Sequence, residues 1–394
     1  MPIIKSVDRR AIERLMSQRL ERRRNVEQRA ATIVAAVRLR GDAALEAYAQ
    51  RLDGLDGAIE LTAREIRDGA ARTARDVRRA IAAAAAAIRK VASRQIPRPQ
   101  TVTTRPGVTI ELRPVPFDRA GCYVPGGRFP LISTMLMTAI PASEAGVREI
   151  VAVSPRPAPA MLAAALEAGV ARFFRIGGAQ AIAALAYGTR RVPRVDKIVG
   201  PGNAWVAAAK RLVAPDCDVD FEAGPTELIV VSRTGNAEWI AADLRAQSEH
   251  DPDAHSILIT PSARLARSVA QQWSGGIVLT RDIDEAVALV NRMAPEHVAC
   301  DDDRVADRIA NAGTIFVGRW SAPAAGDYAT GSNHVLPTGG AARTRGGLSA
   351  ADFVKIIAIQ RLSRQGLRRI APAAMTLAGA EGLRAHARSI EVRL

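Results

Sequence analysis

Three short apolar segments, Glu149-Ile150-Val151-Ala152-Val153, Arg172-Phe173-Phe174-Arg175-Ile176 and Lys197-Ile198-Val199, follow one another with helical stretches between them. A second series begins at Glu227-Leu228-Ile229-Val230-Val231 and continues through 256–259, 276–279 and 314–317, with helical patterns near 237–247, 262–272 and 283–292. Short apolar runs alternating with helices are the mark of parallel strands buried on both faces. The expected fold class is therefore α/β, with two Rossmann-like parallel-sheet domains, a helical N-terminal region and a C-terminal helical tail. The pattern divides the chain into an N-terminal helical arm (1–20), a discontinuous first domain (21–120 with 227–345), a second domain (121–226) and the tail (346–394).

Outward from these strands the reading is mostly helical. Apolar residues recur at three- and four-residue spacing over 8–16, 26–40 and 42–52. Thr62 and Glu65 form a T-x-x-E capping box, which predicts one long helix from there to about Ser93, ended by Pro97 and Pro99. Residues 101–104 and 108–115 read as extended, and the chain from about Leu348 reads as helical again.

The 394 residues carry 55 Lys plus Arg against 40 Asp plus Glu, a net charge of +15 that raises the question of nucleic acid. Only five of the basic residues are Lys, aromatics are 4%, and the Arg residues are scattered among acids, so clustered basic and stacking surfaces are not expected. The dense runs 19–24 and 361–369 read as solvated helix faces. The longest uncharged alanine-rich run, 81–88, is far short of the ~20 residues of a membrane span. The N-terminus lacks an apolar core of signal-peptide length, and Cys122, Cys217 and Cys300 are odd in number and far apart. A soluble cytoplasmic protein is expected, with neither nucleic acid nor membrane as partner.

Four of the five histidines lie beside carboxylates or in Gly/Pro-rich loops. Gln247 and His250 are three apart at a helix end, where they share a face and could grip a metal ion, or simply favour a helix C-terminus. His334 follows Asp327 by seven residues, and His386 follows Glu381 by five. Gln247, His250, Asp327 and His386 together could supply one amide oxygen, two imidazoles and one carboxylate to Zn²⁺. Glu296 and His297 are adjacent after Pro295, in a loop or strand end where a carboxylate and an imidazole could serve two-stage proton chemistry, or form an ordinary surface pair. Gly121-Cys-Tyr-Val-Pro-Gly-Gly, Gly177-Gly-Ala-Gln and Gly200-Pro-Gly-Asn stand where strands hand over to helices, suited either to ligand approach or to tight turning. No G-x-G-x-x-G follows a strand, so generic motifs name no cofactor.

Nine strings in order resemble the histidinol dehydrogenase family: Tyr-Val-Pro-Gly-Gly from Tyr123, Gly-Gly-Ala-Gln-Ala-Ile-Ala-Ala-Leu-Ala from Gly177, Val-Asp-Lys-Ile-Val-Gly-Pro-Gly-Asn ending at Asn203, Ala-Gly-Pro-Thr-Glu from Ala223, Gln-Ser-Glu-His-Asp from Gln247, Ala-Pro-Glu-His from Ala294, Asn-Ala-Gly-Thr-Ile-Phe-Val-Gly from Asn311, Gly-Ser-Asn-His-Val-Leu-Pro-Thr from Gly331 and Glu-Gly-Leu-Arg-Ala-His from Glu381. The resemblance implies a zinc- and NAD-dependent oxidation of L-histidinol to L-histidine through the aldehyde, the last step of histidine biosynthesis. It places zinc on Gln247, His250, Asp327 and His386, and the acid/base pair on Glu296 and His297. NAD contacts are implied at Tyr123, Gln180 and Asn203, which makes 121–226 the NAD-binding domain. Substrate contacts are implied at Thr226, Gln247, His250, His297, Asp327, Glu381 and His386. It further implies a homodimer with exchanged tails, so that Glu381 and His386 reach the partner's site.

Thr226 stands where many members have Ser, which keeps the hydroxyl and adds a methyl, and Asp251 replaces a common Gly. Two alternatives stay open on sequence: a paralogue using the same machinery on another small amino alcohol or diol, and a zinc hydrolase in which Glu296 activates water. The hydrolase leaves the loops of Tyr123, Gln180 and Asn203 without a role.

Overall fold

The structure, a computed structural model, describes residues 3–17, 24–126, 130–221, 224–249 and 253–394. Its first sheet comprises β1 (Ile4–Lys5) and a series from residue 227 onward: β10 (Glu227–Val231), β11 (His255–Thr260), β12 (Gly276–Leu279), β13 (His297–Cys300) and β14 (Thr314–Val317). They lie in the order β1-β12-β11-β10-β13-β14, all parallel. The second sheet comprises β2 (Glu60–Leu61), β5 (Arg119–Tyr123), β6 (Glu149–Val153), β7 (Arg172–Phe174), β8 (Lys197–Val199) and β9 (Asp218–Val219). Its order is β2-β7-β6-β5-β8-β9, parallel except for the short antiparallel edge strand β2.

Each sheet thus grows from a central first strand, two strands to one side and then two to the other. The two Rossmann-like layers expected from the apolar alternation are present, and they share this topology. Consecutive residues point to opposite faces, and both faces are apolar. Val151 and Val153 pack with Phe174, Ile182 and Leu185, whereas Ile150 and Ala152 pack with Phe173, Met135 and Ile140. In the first sheet Ile229, Ile257 and Val298 face one core, and Leu228, Leu258 and Ile277 face the other.

Four expectations need correction. Residues 24–95 do not join the first sheet: Val34, Val37 and Leu45 cover one face of the second sheet, and Ile81 and Ile88 cover the other. Apolar periodicity shows which face of a helix is buried, but not against which sheet. The N-terminal residues do not form a separate arm, since β1 extends the first sheet beside β12 and Ile12 and Leu15 enter its core. The long helix after Thr62 is two, Ala63–Ala71 and Arg75–Gln95, although the capping box itself forms as predicted.

The tail, finally, is not helical throughout. Residues Val354–Leu362 form strand β15, paired antiparallel along its whole length with β4 (Val108–Pro116), which in turn pairs with β3 (Gln100–Arg105). Val354, Ile356, Ile357 and Ile359 are β-branched and find a ready partner edge there. Beyond it, helices Arg364–Ala380 and Arg384–Glu391 bury few apolar side chains within the chain, leaving Leu377, Leu383 and Val392 exposed.

The turn after β8 is held by a buried ion pair. Lys210 and Asp220 are each 1% exposed, with Nζ 2.5 Å from Asp220 Oδ1. Nζ also donates to the Gly200 carbonyl, while Asp220 accepts from the Gly200 and Phe221 amides. Gly200 takes φ +115°, and a Cβ there would overlap the Tyr123 carbonyl oxygen, so the turn requires glycine. Replacing Lys210 by Met strands a buried carboxylate and should destabilise the protein by about 3–5 kcal/mol. Removing both charges, as in Lys210→Met with Asp220→Leu, should cost less; equal losses in chemical denaturation of the two variants would refute the pairing.

Candidate active site

The acid/base candidates stand at the amino ends of β10 and β13, the two adjacent strands at the centre of the first sheet. Register pairs Leu228 with His297, so Glu227 and Glu296 lie side by side one residue earlier. Both are buried, and each carboxylate is held by its neighbour's backbone. The Glu227 amide donates to Glu296 Oε2 at 3.0 Å, and the Glu296 amide donates to Glu227 Oε2 at 3.2 Å. The Gly339 amide adds a donor to Glu227 Oε1 at 3.1 Å. Two adjacent carboxylates are tolerated because backbone N–H groups that do not ionise surround them.

From Glu296 a chain of contacts joins the other candidates. Thr226 Oγ1 donates to Glu296 Oε2, and Gln247 Nε2 donates to Thr226 Oγ1. The hydroxyl has a single proton, already given to a carboxylate, so it can only accept from the Gln247 amide nitrogen. Gln247 Oε1 is thereby turned away from Thr226. The added methyl of Thr226 does not prevent this relay.

On the other side, His297 Nδ1 lies 3.0 Å from the Glu227 carbonyl oxygen and 3.5 Å from Glu296 Oε2. A carbonyl only accepts, so Nδ1 carries the proton and Nε2 bears the lone pair, 4.0 Å from Asp327 Oδ1. Burial opposes a charged imidazolium here, but the Glu296 and Asp327 carboxylates outweigh it and hold the His297 pKa above its ordinary value. The ring is also stacked on Phe316, 6.0 Å between centroids.

The structure therefore brings Gln247, Thr226, Glu296, His297 and Asp327 into one buried network. It also adds two members that sequence reading did not assign. One is Glu227, whose place next to Thr226 in the motif was the only hint. The other is His334, whose Nδ1 lies 3.2 Å from the Asp327 carbonyl and whose Nε2 lies 3.0 Å from Thr134 Oγ1 on the helix Ile132–Glu144. His334 is kept below its ordinary pKa by burial. It links the first-sheet site to the second-sheet unit, as do the Gly224 amide to Thr338 Oγ1 and Asn333 Nδ2 to the Met137 carbonyl.

His250 lies outside the described residues. Glu381 and His386 are exposed on the tail, and among the described residues none of the bonds that tie the site together involves them. Among the described residues of this chain, no group of three or more His, Cys, Asp or Glu is placed to hold a metal ion. What the chain does present is a buried carboxylate, Asp327, and an amide oxygen, that of Gln247, fixed in orientation by Thr226. Two oxygen donors beside imidazoles suit a divalent cation such as Zn²⁺ that completes its shell with nitrogen.

The cofactor candidates gather at the carboxyl ends of the second sheet, the crevice where open α/β sheets receive ligands. Tyr123 ends β5 and is buried, which pushes its phenol up to about 12; its oxygen accepts from the Gly178 amide at 3.1 Å. Gln180, in the first turn of helix Gly178–Tyr187, is 1% exposed, and its Oε1 has no hydrogen-bond partner. Its Nε2 donates to Asp53 Oδ2 at 3.0 Å. Asn203 caps the helix Ala204–Val213 through its side-chain oxygen, which accepts from the Trp205 and Val206 amides, leaving its amide NH₂ for other partners. An unpartnered buried acceptor is a position prepared for a donor.

Comparisons with known proteins bear on the family and the fold. The family model described as histidinol dehydrogenase matches residues 16–394. The chain is 47% identical to the histidinol dehydrogenase of Caulobacter vibrioides, over 94% of this chain and 93% of that one. It is 46% identical to that of Agrobacterium fabrum, over 92% and 91%. The crystal structure of histidinol dehydrogenase from Elizabethkingia anophelis superposes with a TM-score of 0.94 at 31% identity, covering 99% of this chain and 96% of that one. On sequence and on fold, the chain belongs to the histidinol dehydrogenase family.

Proposed function

We propose that this chain oxidises L-histidinol to L-histidine through the aldehyde, passing two hydrides in turn to NAD⁺, as the last step of histidine biosynthesis in the cytoplasm. The observation that carries the reading is the largely buried chain of contacts from Gln247 through Thr226, Glu296 and His297 to Asp327. Gln247 and Asp327 would hold zinc with His250 and, from the partner's tail, His386; zinc when bound would fix the substrate's nitrogen atoms. NAD⁺, which accepts the hydrides, would lie along Tyr123, Gln180 and Asn203.

The residues of the chain divide the proton work. His297 Nε2, in the unprotonated form of the ring, takes the alcohol proton as hydride departs. Glu296 then serves as base for the water that adds to the aldehyde, its carboxylate aimed by Thr226 and the Glu227 amide. Once His297 and Glu296 have passed these protons to solvent, the second oxidation removes hydride from the hydrated aldehyde, with His297 again receiving the proton. Thr226, Glu381 and the metal-binding side chains contact substrate. No thiol is required. Burial pushes Cys122 and Cys217 up to about 12 and Cys300 up to about 11, so none forms a thiolate nucleophile at neutral pH.

Exchange of tails in a homodimer is supported by what the tail leaves uncovered. Leu377, Leu383 and Val392 are exposed, as are Glu381 and His386. A second copy would bury that surface and complete the site.

Purified protein with zinc, NAD⁺ and L-histidinol should form two NADH per L-histidine. Turnover only with another amino alcohol would favour a paralogue, and no NADH from any alcohol would remove the dehydrogenase reading. His297→Asn should lower kcat by about 10²–10⁴ with zinc content unchanged by elemental analysis. Gln247→Ala should lose zinc. Iodoacetamide at pH 8 should leave activity intact on the timescale of the assay; rapid inactivation together with alkylation of Cys122 or Cys300 would contradict the thiol-free scheme. Mixing His386→Ala with Glu296→Gln subunits should restore activity that neither has alone, because one site in the mixed dimer is then intact; mixed dimers as inactive as their parents would place the tail in its own subunit's site.

A further inference from the structure

We propose that Asp53, which lies outside both parallel series, is the ribose-selecting residue of the cofactor crevice. It orients Gln180 and offers its remaining oxygen to a ribose hydroxyl, so that the site prefers a dinucleotide without a 2′-phosphate. This assignment rests on the dinucleotide reading given above.

Asp53 ends the helical turn Ala49–Asp53, which the helix Asp42–Tyr48 continues into, and Gly54 follows it in the left-handed region at φ 67°. The turn carries Asp53 against the start of helix Gly178–Tyr187. That helix begins at Gly177, which has no side chain to cap it. Asp53 does so from 124 residues away: Oδ2 accepts from the Gly177 amide at 3.0 Å and from Gln180 Nε2 at 3.0 Å. Both bonds fall on one oxygen, and among the described residues no hydrogen bond reaches Oδ1.

Two consequences follow. Because Asp53 engages the NH₂ of Gln180, the amide is held in one orientation, and its buried Oε1 is left without a partner. Gln180 Oε1 and Asp53 Oδ1 are thus two acceptors with no donor, beside the crevice at the ends of β5 and β7. The second consequence is electrostatic. A helix amino terminus ordinarily attracts phosphate, but on this one the Asp53 carboxylate already takes that place, with the Arg156 charge acting on it from nearby. The group that belongs here donates hydrogen bonds and carries no negative charge. A ribose diol meets both conditions, and a 2′-phosphate meets neither.

Next to Asp53 in the chain, Gly54 and Leu55 line a cavity of about 610 Å³ that Pro155, Arg156 and Arg175 also bound; Asp53 and Gln180 do not themselves line it. Pro155 also abuts the glycine loops, since a Cβ at Gly126 or Gly177 would come within 2.5 Å or 3.0 Å of its ring. Ser154, Pro155 and Arg156 follow β6, where dinucleotide folds usually place the ribose-binding acid. Asp53 supplies that carboxylate from another part of the chain.

The test uses the whole enzyme, with NAD⁺ and NADP⁺ as probes, in wild type, Asp53→Asn and Asp53→Ala. Asn keeps one oxygen to accept from Gly177 and Gln180 but turns the other position into a donor. Asp53→Asn should raise KM for NAD⁺ about tenfold. It should change kcat at saturating NAD⁺ by less than about threefold, with KM for histidinol as in wild type. It should also narrow the preference for NAD⁺ over NADP⁺, and calorimetry without substrate should show the same loss of NAD⁺ affinity. If Asp53→Ala fails to fold, the Asn variant decides. Wild-type KM and wild-type NAD⁺/NADP⁺ selectivity in Asp53→Asn would reduce Asp53 to a structural clamp and overturn the assignment. A wild-type enzyme that prefers NADP⁺ would overturn it too, with Arg156 as the reader. Wild type that binds and reduces neither dinucleotide would instead sink the dinucleotide reading itself.

Discussion

Two buried carboxylates, set side by side by the parallel register of β10 and β13, are the constraint around which the site is organised. Glu227 and Glu296 each accept the other's backbone amide, so each carboxylate is tied to the strand beside its own. The Glu227 carbonyl then dictates which nitrogen of His297 bears the proton, and Thr226 dictates which end of the Gln247 amide faces the site. His297, Glu296 and Gln247 are all oriented by bonds that begin at this pair. Such a network tolerates no half-measures, because a polar group left unpaired in a buried site costs more than the bond it loses.

The two sheets have the same topology but offer opposite ends to the reaction. In the second sheet the candidate cofactor residues stand at the carboxyl ends of the strands, as expected of a doubly wound fold. In the first, the acid/base pair stands at the amino ends. In the chain the carboxyl end of β9 (Asp218–Val219) is followed within eight residues by the amino end of β10 (Glu227–Val231). The segment from Asp327 to Leu348 links the first-sheet site to the second-sheet unit through His334, Asn333 and Thr338. The Arg345 guanidinium adds a bond to the Asp220 carbonyl, next to the buried Lys210 pair. The positive charge of the whole chain has no part in this; the site is assembled from carboxylates, amides and imidazoles.

Much of this was legible in the residues. Strands β6, β8, β10, β12 and β14 fall where apolar runs predicted them, because a strand buried on both faces needs an unbroken apolar segment wherever it sits. Strands β13 and β15 were harder. In β13 the first residue is a functional histidine, and in β15 exposed polar residues interrupt the β-branched ones. The zinc and acid/base candidates were found because adjacent His and acidic residues stand out locally. Asp53 gave no such signal: a single carboxylate at the end of a helical turn acquires meaning only beside Gly177 and Gln180.

Composition, alternation and nine short motifs were enough to determine an α/β chain of two parallel sheets and its family, and to single out candidate site residues, since each of these is a local property of consecutive residues. The tertiary structure alone decided which sheet the helices of residues 24–95 cover, which nitrogen of His297 meets the Glu227 carbonyl, and that Glu227, His334 and Asp53 touch the candidate site residues. Those are statements about contacts between distant parts of the chain. Periodicity records that a face is buried, and leaves open what buries it.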